Sequence, residues 1–118
     1  MTREQVEEMI TLLAAEFRVK RPKVTWHGRY RSGRAFFRQW RIAVGPNCWC
    51  GVEHTTVHEF AHILTFKRYG RGVRHEEEFC YCLWHVAAAW YGNAAAYPWH
   101  NEYTRVAAFG QRRLNEHS

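Results

Sequence analysis

The sequence predicts an α+β domain in which helices surround a small antiparallel sheet. Apolar residues recur at helical spacing from residue 3 to residue 19, and again in two segments between residues 55 and 91. Residues 24–44, which lie between these regions, are rich in β-branched and aromatic side chains and contain a polar turn. Helical and extended segments thus occupy separate parts of the chain, an order that is typical of α+β folds.

The first predicted helix covers residues 3–19. Thr2 and Gln5 have the spacing of a capping box, in which the two side chains bond each other's backbone N–H groups at the start of a helix. The apolar positions are Val6, Met9, Ile10, Leu13 and Phe17. Because they share one side of a helix, we expect this side to pack on the rest of the domain.

Two strands, residues 24–30 and residues 35–44, are predicted to form an antiparallel hairpin. The polar residues 31–34 form the turn between them. In the second strand, Trp40, Ile42 and Val44 alternate with Gln39, Arg41 and Ala43, which is the pattern of a strand with one buried face.

The next predicted helix starts at Thr55 or Thr56, either of which can act as an N-cap, and ends near Tyr69, just before Gly70. His54 lies four residues before His58. We expect His54 in the loop that precedes the helix, although an earlier helix start would bring it beside the site described next.

This helix contains an HExxH motif, His58-Glu59-Phe60-Ala61-His62. Two histidines four residues apart lie on the same face of a helix, so both imidazoles can bind one metal ion. The glutamate between them can reach a water molecule on that ion. The motif therefore predicts a zinc ion (Zn²⁺) bound by His58 and His62, with Glu59 as the general base.

A catalytic zinc ion normally has three protein ligands and one water molecule, so a third ligand is expected. The chain contains no aspartate, which excludes an Asp ligand. The remaining candidates are His75, Glu76, Glu77, Glu78, His85, His100 and Glu102. A further helix is predicted over residues 75–91, after the HExxH helix. Its apolar face includes His75 but has Glu78 only at its margin. We therefore expect His75 to be the third ligand, with Glu78 as the alternative.

The HEFAH motif, a linker of 12 residues and His75-Glu76-Glu77-Glu78-Phe79 together resemble the SprT-like and WLM-type zincins, which are small metallopeptidases. The similarity covers about residues 41–83. It implies a zincin-like fold, with an active-site helix and a second helix that carries the third ligand. It also implies hydrolysis of peptide bonds, with zinc on His58, His62 and His75 and with Glu59 as the general base.

Two further expectations concern the surroundings of the zinc. A zincin needs a side chain that stabilises the oxyanion, and Tyr97 and His100, in the loop around Pro98, are the candidates. In zincins the strand before the active-site helix borders the cleft and can pair with an extended substrate. Residues 36–44 are therefore predicted to include a strand that binds the peptide or protein substrate.

The whole chain has a net charge of +6, and its basic residues are concentrated in one part of the sequence. Nine basic residues and no acidic residue lie between Phe17 and Val52, and aromatic residues are interleaved with them. Such a surface can bind nucleic acid or select acidic peptides, and Arg38, Trp40 and Arg41 are the candidate contacts. The alternative function is therefore a non-catalytic, zinc-stabilised protein that binds nucleic acid or another partner through residues 18–41.

The composition, 47% hydrophobic and 16% aromatic, predicts one folded domain over residues 1–118, with a last helix over residues 101–114. No segment approaches the roughly 20 apolar residues of a membrane span, and the N-terminal segment resembles an amphipathic helix rather than a signal peptide. We therefore expect no membrane association and a cytoplasmic location. The four cysteines are expected to be buried thiols rather than disulfides or a second zinc site.

Overall fold

A computed structural model describes residues 1–70, 77–94, 97, 108, 112 and 116. The chain forms an α+β fold, as predicted. Its elements are α1 (Arg3–Phe17), β1 (Lys23–Trp26), β2 (Arg34–Phe36), β3 (Arg41–Val44), α2 (Val52–Tyr69) and α3 (Glu77–Tyr91). Helix α3 was predicted to start at residue 75, which lies outside the described residues. Nearly all of the predicted helix over residues 101–114 also lies outside them.

Helix α1 follows the sequence prediction closely. The capping box is present: the Thr2 backbone N–H donates to Gln5 Oε1 at 2.8 Å, and the Gln5 backbone N–H donates to Thr2 Oγ1 at 3.2 Å. The predicted apolar face is buried at Val6, Met9, Ile10 and Leu13, whereas Phe17 is half-buried. The helix ends two residues earlier than predicted, because Arg18 adopts a left-handed conformation with φ of 55°.

The sheet is mixed, so the predicted antiparallel hairpin is wrong. The strand order is β1-β3-β2, with β1 parallel to β3 and β2 antiparallel to β3. The predicted strand over residues 35–44 is divided by a tight turn, in which Trp40 has φ of 52° and donates its backbone N–H to the Phe37 carbonyl. This turn lets β2 and β3 form the hairpin instead.

Trp40 also explains why β1 runs parallel to β3. Its indole Nε1 donates to the Lys20 carbonyl at 2.6 Å, and its own carbonyl accepts a hydrogen bond from the Lys23 backbone N–H at 2.9 Å. These bonds fix the start of β1 beside the start of β3, so that Lys23 pairs with Arg41 and Trp26 with Val44.

Helix α2 lies at the centre of the molecule, between α1, α3 and the sheet. Every residue from His54 to Thr65 is buried, including the polar ones. Three buried threonine hydroxyls, those of Thr55, Thr56 and Thr65, donate to the carbonyl four residues earlier at 2.7–2.8 Å. Because burial of ionisable side chains is costly, the histidines and the glutamate on this helix are candidates for a functional site.

In the part of the chain that the structure describes, no helix combines the length and the apolar character that a membrane crossing requires. The four cysteines are thiols, as predicted. Cys48, Cys80 and Cys82 are buried, whereas Cys50 is half-buried, which differs from the prediction.

Candidate metal centre

Helix α2 begins at Val52, and its N-cap, Gly51, lies four or five residues before the predicted N-cap. Thr55 does not act as a cap: its backbone N–H and its hydroxyl both bond the Gly51 carbonyl, at 3.0 Å and 2.7 Å. The expectation that His54 lies in the preceding loop is therefore wrong. His54 occupies the first turn of the helix and is buried, one turn before His58.

The structure brings together the three residues of the HExxH motif that were predicted to carry the chemistry. One imidazole nitrogen from each of His58 and His62 and one carboxylate oxygen of Glu59 lie within 4.8 Å of one another, and all three residues are buried. The two imidazole ring centroids are 4.9 Å apart, with an angle of 73° between the ring planes. Nitrogen and carboxylate donors at this separation could bind one metal ion.

Phe79, in the first turn of α3, packs against both histidines. Its ring stacks on His62 with centroids 4.1 Å apart, and it meets His58 in an edge-to-face contact at 5.1 Å. Such contacts restrict the rotation of both imidazoles and bury one side of the pair. α3 therefore contributes to the site by holding the histidine rings.

Glu59 has an unusual electrostatic environment. Burial raises the pKa of its carboxyl group from 4.5 to about 8, because a charged carboxylate is poorly solvated in the interior. The backbone at Gly33, just before β2, lies directly against this side chain. In the absence of a cation, Glu59 is therefore mainly protonated at neutral pH. A bound cation would favour the carboxylate instead.

Among the described residues, two clefts open onto the motif. The larger, of 390 Å³, lies between α2 and β2 and is lined by Gly33, Arg34, Ala35, Phe37, His58, Glu59 and His62. The smaller, of 250 Å³, is lined by Ser32, Gly33, Trp49, Cys50, His54, Thr55, His58 and Glu59. Because both clefts include His58 and Glu59, the motif can be reached from both directions along β2.

Gly33 provides a test of how tightly β2 is held against Glu59. A Cβ atom at residue 33 would overlap the Thr55 methyl group and lie 2.8 Å from Glu59 Cγ. We expect Gly33→Ala to lower the free energy of unfolding by about 1–3 kcal/mol, the usual cost of overpacking. Denaturant unfolding of the purified variant measures this change. Gly28→Ala is the matched control, since a Cβ there meets only Asn47 Nδ2 at 3.4 Å. Equal stabilities of the two variants would contradict the proposed close packing.

The predicted third ligand, His75, lies outside the described residues. The alternative, Glu78, is half-buried and does not belong to the group formed by His58, Glu59 and His62. Burial raises the pKa of the Cys82 thiol, and the nearby Glu78 carboxylate contributes to that rise. His85, another candidate, has its ring against Tyr81 with centroids 4.4 Å apart.

Of the two predicted oxyanion stabilisers, His100 lies outside the described residues. Tyr97 is buried, and its ring stacks on His54 with centroids 4.5 Å apart. The Tyr97 hydroxyl lies 3.1 Å from His54 Nε2, at hydrogen-bonding distance. Tyr97 lines neither cleft beside Glu59, whereas His54 lines the smaller one. His54 is thus a cleft residue that the sequence prediction placed outside the helix, and its four-residue spacing from His58 was the available signal.

The three predicted contacts of the basic segment have different environments. Arg38 is exposed and lies beyond the larger cleft, on a third cleft that Phe37 also lines. Trp40 is half-buried in the turn before β3, where its indole N–H is bonded to Lys20. Arg41 is half-buried on β3, with its guanidinium 4.2 Å from the Phe36 ring centroid and Nη1 donating to Thr25 Oγ1.

The chain matches no protein-family model, no curated protein and no solved structure. Its fold and site therefore define a general class of protein but no family. The protein is an α+β domain in which one buried helix carries a His–Glu–His group that could bind a metal ion.

Proposed function

We propose that this chain is a zinc-dependent metallopeptidase with a zincin-like fold. The observation that carries the proposal is the convergence of His58, Glu59 and His62 at the wall of a cleft. A buried cluster of ionisable side chains is costly for stability, and ionisable groups with shifted pKa values concentrate at functional sites. Two imidazoles one helical turn apart match the ligands of a catalytic zinc site better than those of a magnesium or calcium site, which prefers oxygen ligands.

In this proposal His58 and His62 are ligands, and His75 is the third. The support for His75 comes from Phe79, whose ring contacts both histidines and thereby brings the start of α3 to the site. His75 is two residues before Glu77, the first residue of α3, and two residues of backbone span at most about 7 Å.

Zinc held by these residues would lower the pKa of a bound water toward about 7 and would polarise a substrate carbonyl. Glu59 would be the general base that accepts a proton from the attacking water. It then transfers the proton to the leaving amine. Its buried environment, which favours the protonated form, assists the first of these transfers, in which Glu59 accepts a proton. The Phe79 ring covers one side of the two histidines and excludes water from that side of the site.

Strand β2 supports the choice of a peptide as substrate. It is an edge strand of the sheet, and among the described residues no strand pairs with its other edge. Arg34 and Ala35 of this strand line the cleft that contains Glu59. An extended peptide can add to such an edge by backbone hydrogen bonds, which would bring a peptide bond across the motif.

The proposal is tested by metal content and by peptidase activity together. We expect about one zinc per chain by elemental analysis, and cleavage of an unfolded protein that stops on chelation and returns when zinc is added. His58→Ala should lose both the zinc and the activity. His27→Ala is the control, because His27 is exposed and lies outside the clefts. Absence of bound zinc after zinc is supplied, or cleavage that chelation does not affect, would contradict the proposal.

A further inference from the structure

A third cleft extends the site along β2. It has a volume of 450 Å³ and is lined by Arg34, Ala35, Phe36, Phe37, Arg38, Gln39, Phe66 and Gly70. It shares Arg34, Ala35 and Phe37 with the 390 Å³ cleft beside Glu59. That cleft in turn shares Gly33 with the 250 Å³ cleft. The three clefts therefore form one groove along residues 32–39, here called the β2 groove. The metal centre lies near its middle.

The far end of the β2 groove, remote from Trp49, has an apolar floor. Phe37 and Phe66 stack face to face with ring centroids 5.1 Å apart and an angle of 8° between the planes. This pair joins the turn after β2 to the last turns of α2. An aromatic or large aliphatic side chain packs favourably on such a surface.

Two arginines border this floor. The guanidinium of Arg34 lies 5.1 Å from the centroid of the Phe36 ring, and Arg38 is exposed at the turn. A guanidinium placed against a ring can still bond a carboxylate through the N–H groups in its own plane. The ring contact also limits the freedom of the Arg34 side chain, so less entropy is lost when it binds.

Among the described residues, no carboxylate balances the positive charges at this end of the groove. Within the described ranges 1–70 and 77–94, one ion pair forms, between Arg21 and Glu7, and it lies away from the groove. No acidic residue occurs between Phe17 and Val52. Arg34 and Arg38 are therefore cations beside an apolar floor that have no described carboxylate within ion-pairing distance.

From these features we infer that the far end of the β2 groove is a specificity subsite for acidic peptide segments that contain an aromatic residue. The aromatic side chain packs on Phe37 and Phe66. Neighbouring glutamate or aspartate side chains of the substrate pair with Arg34 and Arg38. This inference rests on the proposed peptidase function, because it names the class of substrate that the metal centre would receive.

The same features favour a peptide over single-stranded nucleic acid. Binding of successive bases requires a series of aromatic rings with open faces, whereas the Phe37–Phe66 pair provides one apolar surface and the Phe36 ring has two guanidinium groups against it. The edge of β2 supplies a row of backbone donors and acceptors, which an extended peptide can match.

Binding can be measured without catalysis in the Glu59→Gln variant. The probe is a fluorescein-labelled octapeptide that has one phenylalanine flanked by glutamates. A twin peptide has glutamine in place of each glutamate, and a third probe is a labelled oligonucleotide of 12 thymidines. Fluorescence anisotropy is expected to give a Kd for the acidic peptide about tenfold lower than for its twin, with a difference that shrinks as salt is added.

Arg38→Gln is expected to weaken binding of the acidic peptide about fivefold and to bring the two peptide affinities closer together. Arg34→Lys keeps the charge but loses the planar fork, so it should also weaken binding. Arg29→Gln is the matched control: it removes the same charge from the same basic segment, but Arg29 lines none of the three clefts. It should change the Kd by less than about twofold.

The outcomes separate this inference from the proposed function. Equal affinity for the two peptides, or equal effects of Arg38→Gln and Arg29→Gln, would overturn the acidic subsite while leaving the peptidase proposal to its own zinc and cleavage test. Tighter binding of the oligonucleotide, with displacement of the acidic peptide, would overturn it in favour of a nucleic-acid surface. Selective binding that the wild-type protein never follows with cleavage would support the subsite and contradict the peptidase.

Discussion

Glu59→Gln is expected to lower kcat for peptide hydrolysis by about 10²–10⁴-fold, the usual contribution of a general base, while one zinc stays bound. Glutamine has nearly the same shape as glutamate, so it can occupy the space between His58 and Gly33 without repacking. Its amide cannot accept the proton of the attacking water. Because His58 and His62 are unchanged, the affinity for zinc should fall little.

The measurement is a comparison of kcat, KM and zinc content for the wild-type and variant proteins on the same peptide. Glu8→Gln on α1 serves as the control, since it makes the same change at an exposed position far from the clefts. Full activity of a zinc-loaded Glu59→Gln protein would show that Glu59 is not the base. Loss of zinc from this variant would instead identify Glu59 as a ligand.

The features that the sequence predicted correctly depend on interactions between near neighbours in the chain. The capping box of α1 joins residues three apart, and the end of α2 follows from Gly70, which adopts the left-handed conformation with φ of 72°. The pairing of His58 with His62 follows from the helical repeat alone. Each of these features is settled within one or two turns of the helix that contains it.

The start of α2 was predicted wrongly because the hydroxyl groups of Thr55 and Thr56 can make two kinds of hydrogen bond. A threonine can cap a helix by accepting from a backbone N–H, or it can donate to the carbonyl four residues earlier inside a helix. Here both donate, at 2.7 and 2.8 Å. Gly51, which has no side chain to offer, takes the N-cap position instead. The earlier start is what brings His54 into the helix and beside the smaller cleft.

The strand pairing was predicted wrongly because it depends on a conformation that the sequence does not signal. A left-handed tryptophan is uncommon, since its side chain is crowded at positive φ. Trp40 adopts this conformation within a turn whose other bonds reach Lys20 and Lys23, and so it determines both the β2–β3 hairpin and the parallel position of β1. The alternation of apolar and polar residues continues through the turn, so the sequence pattern predicts one strand where the structure has two.

The parts of the candidate site that come from distant segments could not be predicted from spacing. Phe79 reaches His62 across the gap between two helices, and Tyr97 meets His54 across 43 residues. Gly33 reaches Glu59 only because β2 lies against α2. These contacts depend on how the helices and the sheet pack, whereas the HExxH motif itself depends on one helix.

In the metal-free protein, the free energy of unfolding is expected to fall as pH rises from about 4.5 to about 8, and Glu59→Gln should abolish this fall. Burial raises the pKa of Glu59 from 4.5 to about 8. Below pH 4.5 the carboxyl is protonated in both the folded and the unfolded chain, so it has no effect on stability. Between these values the unfolded chain releases a proton that the folded chain retains, which costs up to about 1.4 kcal/mol per pH unit.

Above pH 8 the folded protein carries a buried carboxylate, and the total loss reaches roughly 5 kcal/mol. Denaturant unfolding of metal-free wild type and Glu59→Gln from pH 4 to pH 9 measures it, because the difference between the two profiles isolates Glu59 from the histidines. Zinc should reduce the slope of the wild-type profile, since a cation beside Glu59 favours the carboxylate in the folded state. Parallel profiles for the two metal-free proteins would mean that Glu59 is solvated, and the closed environment attributed to the candidate metal centre would be wrong.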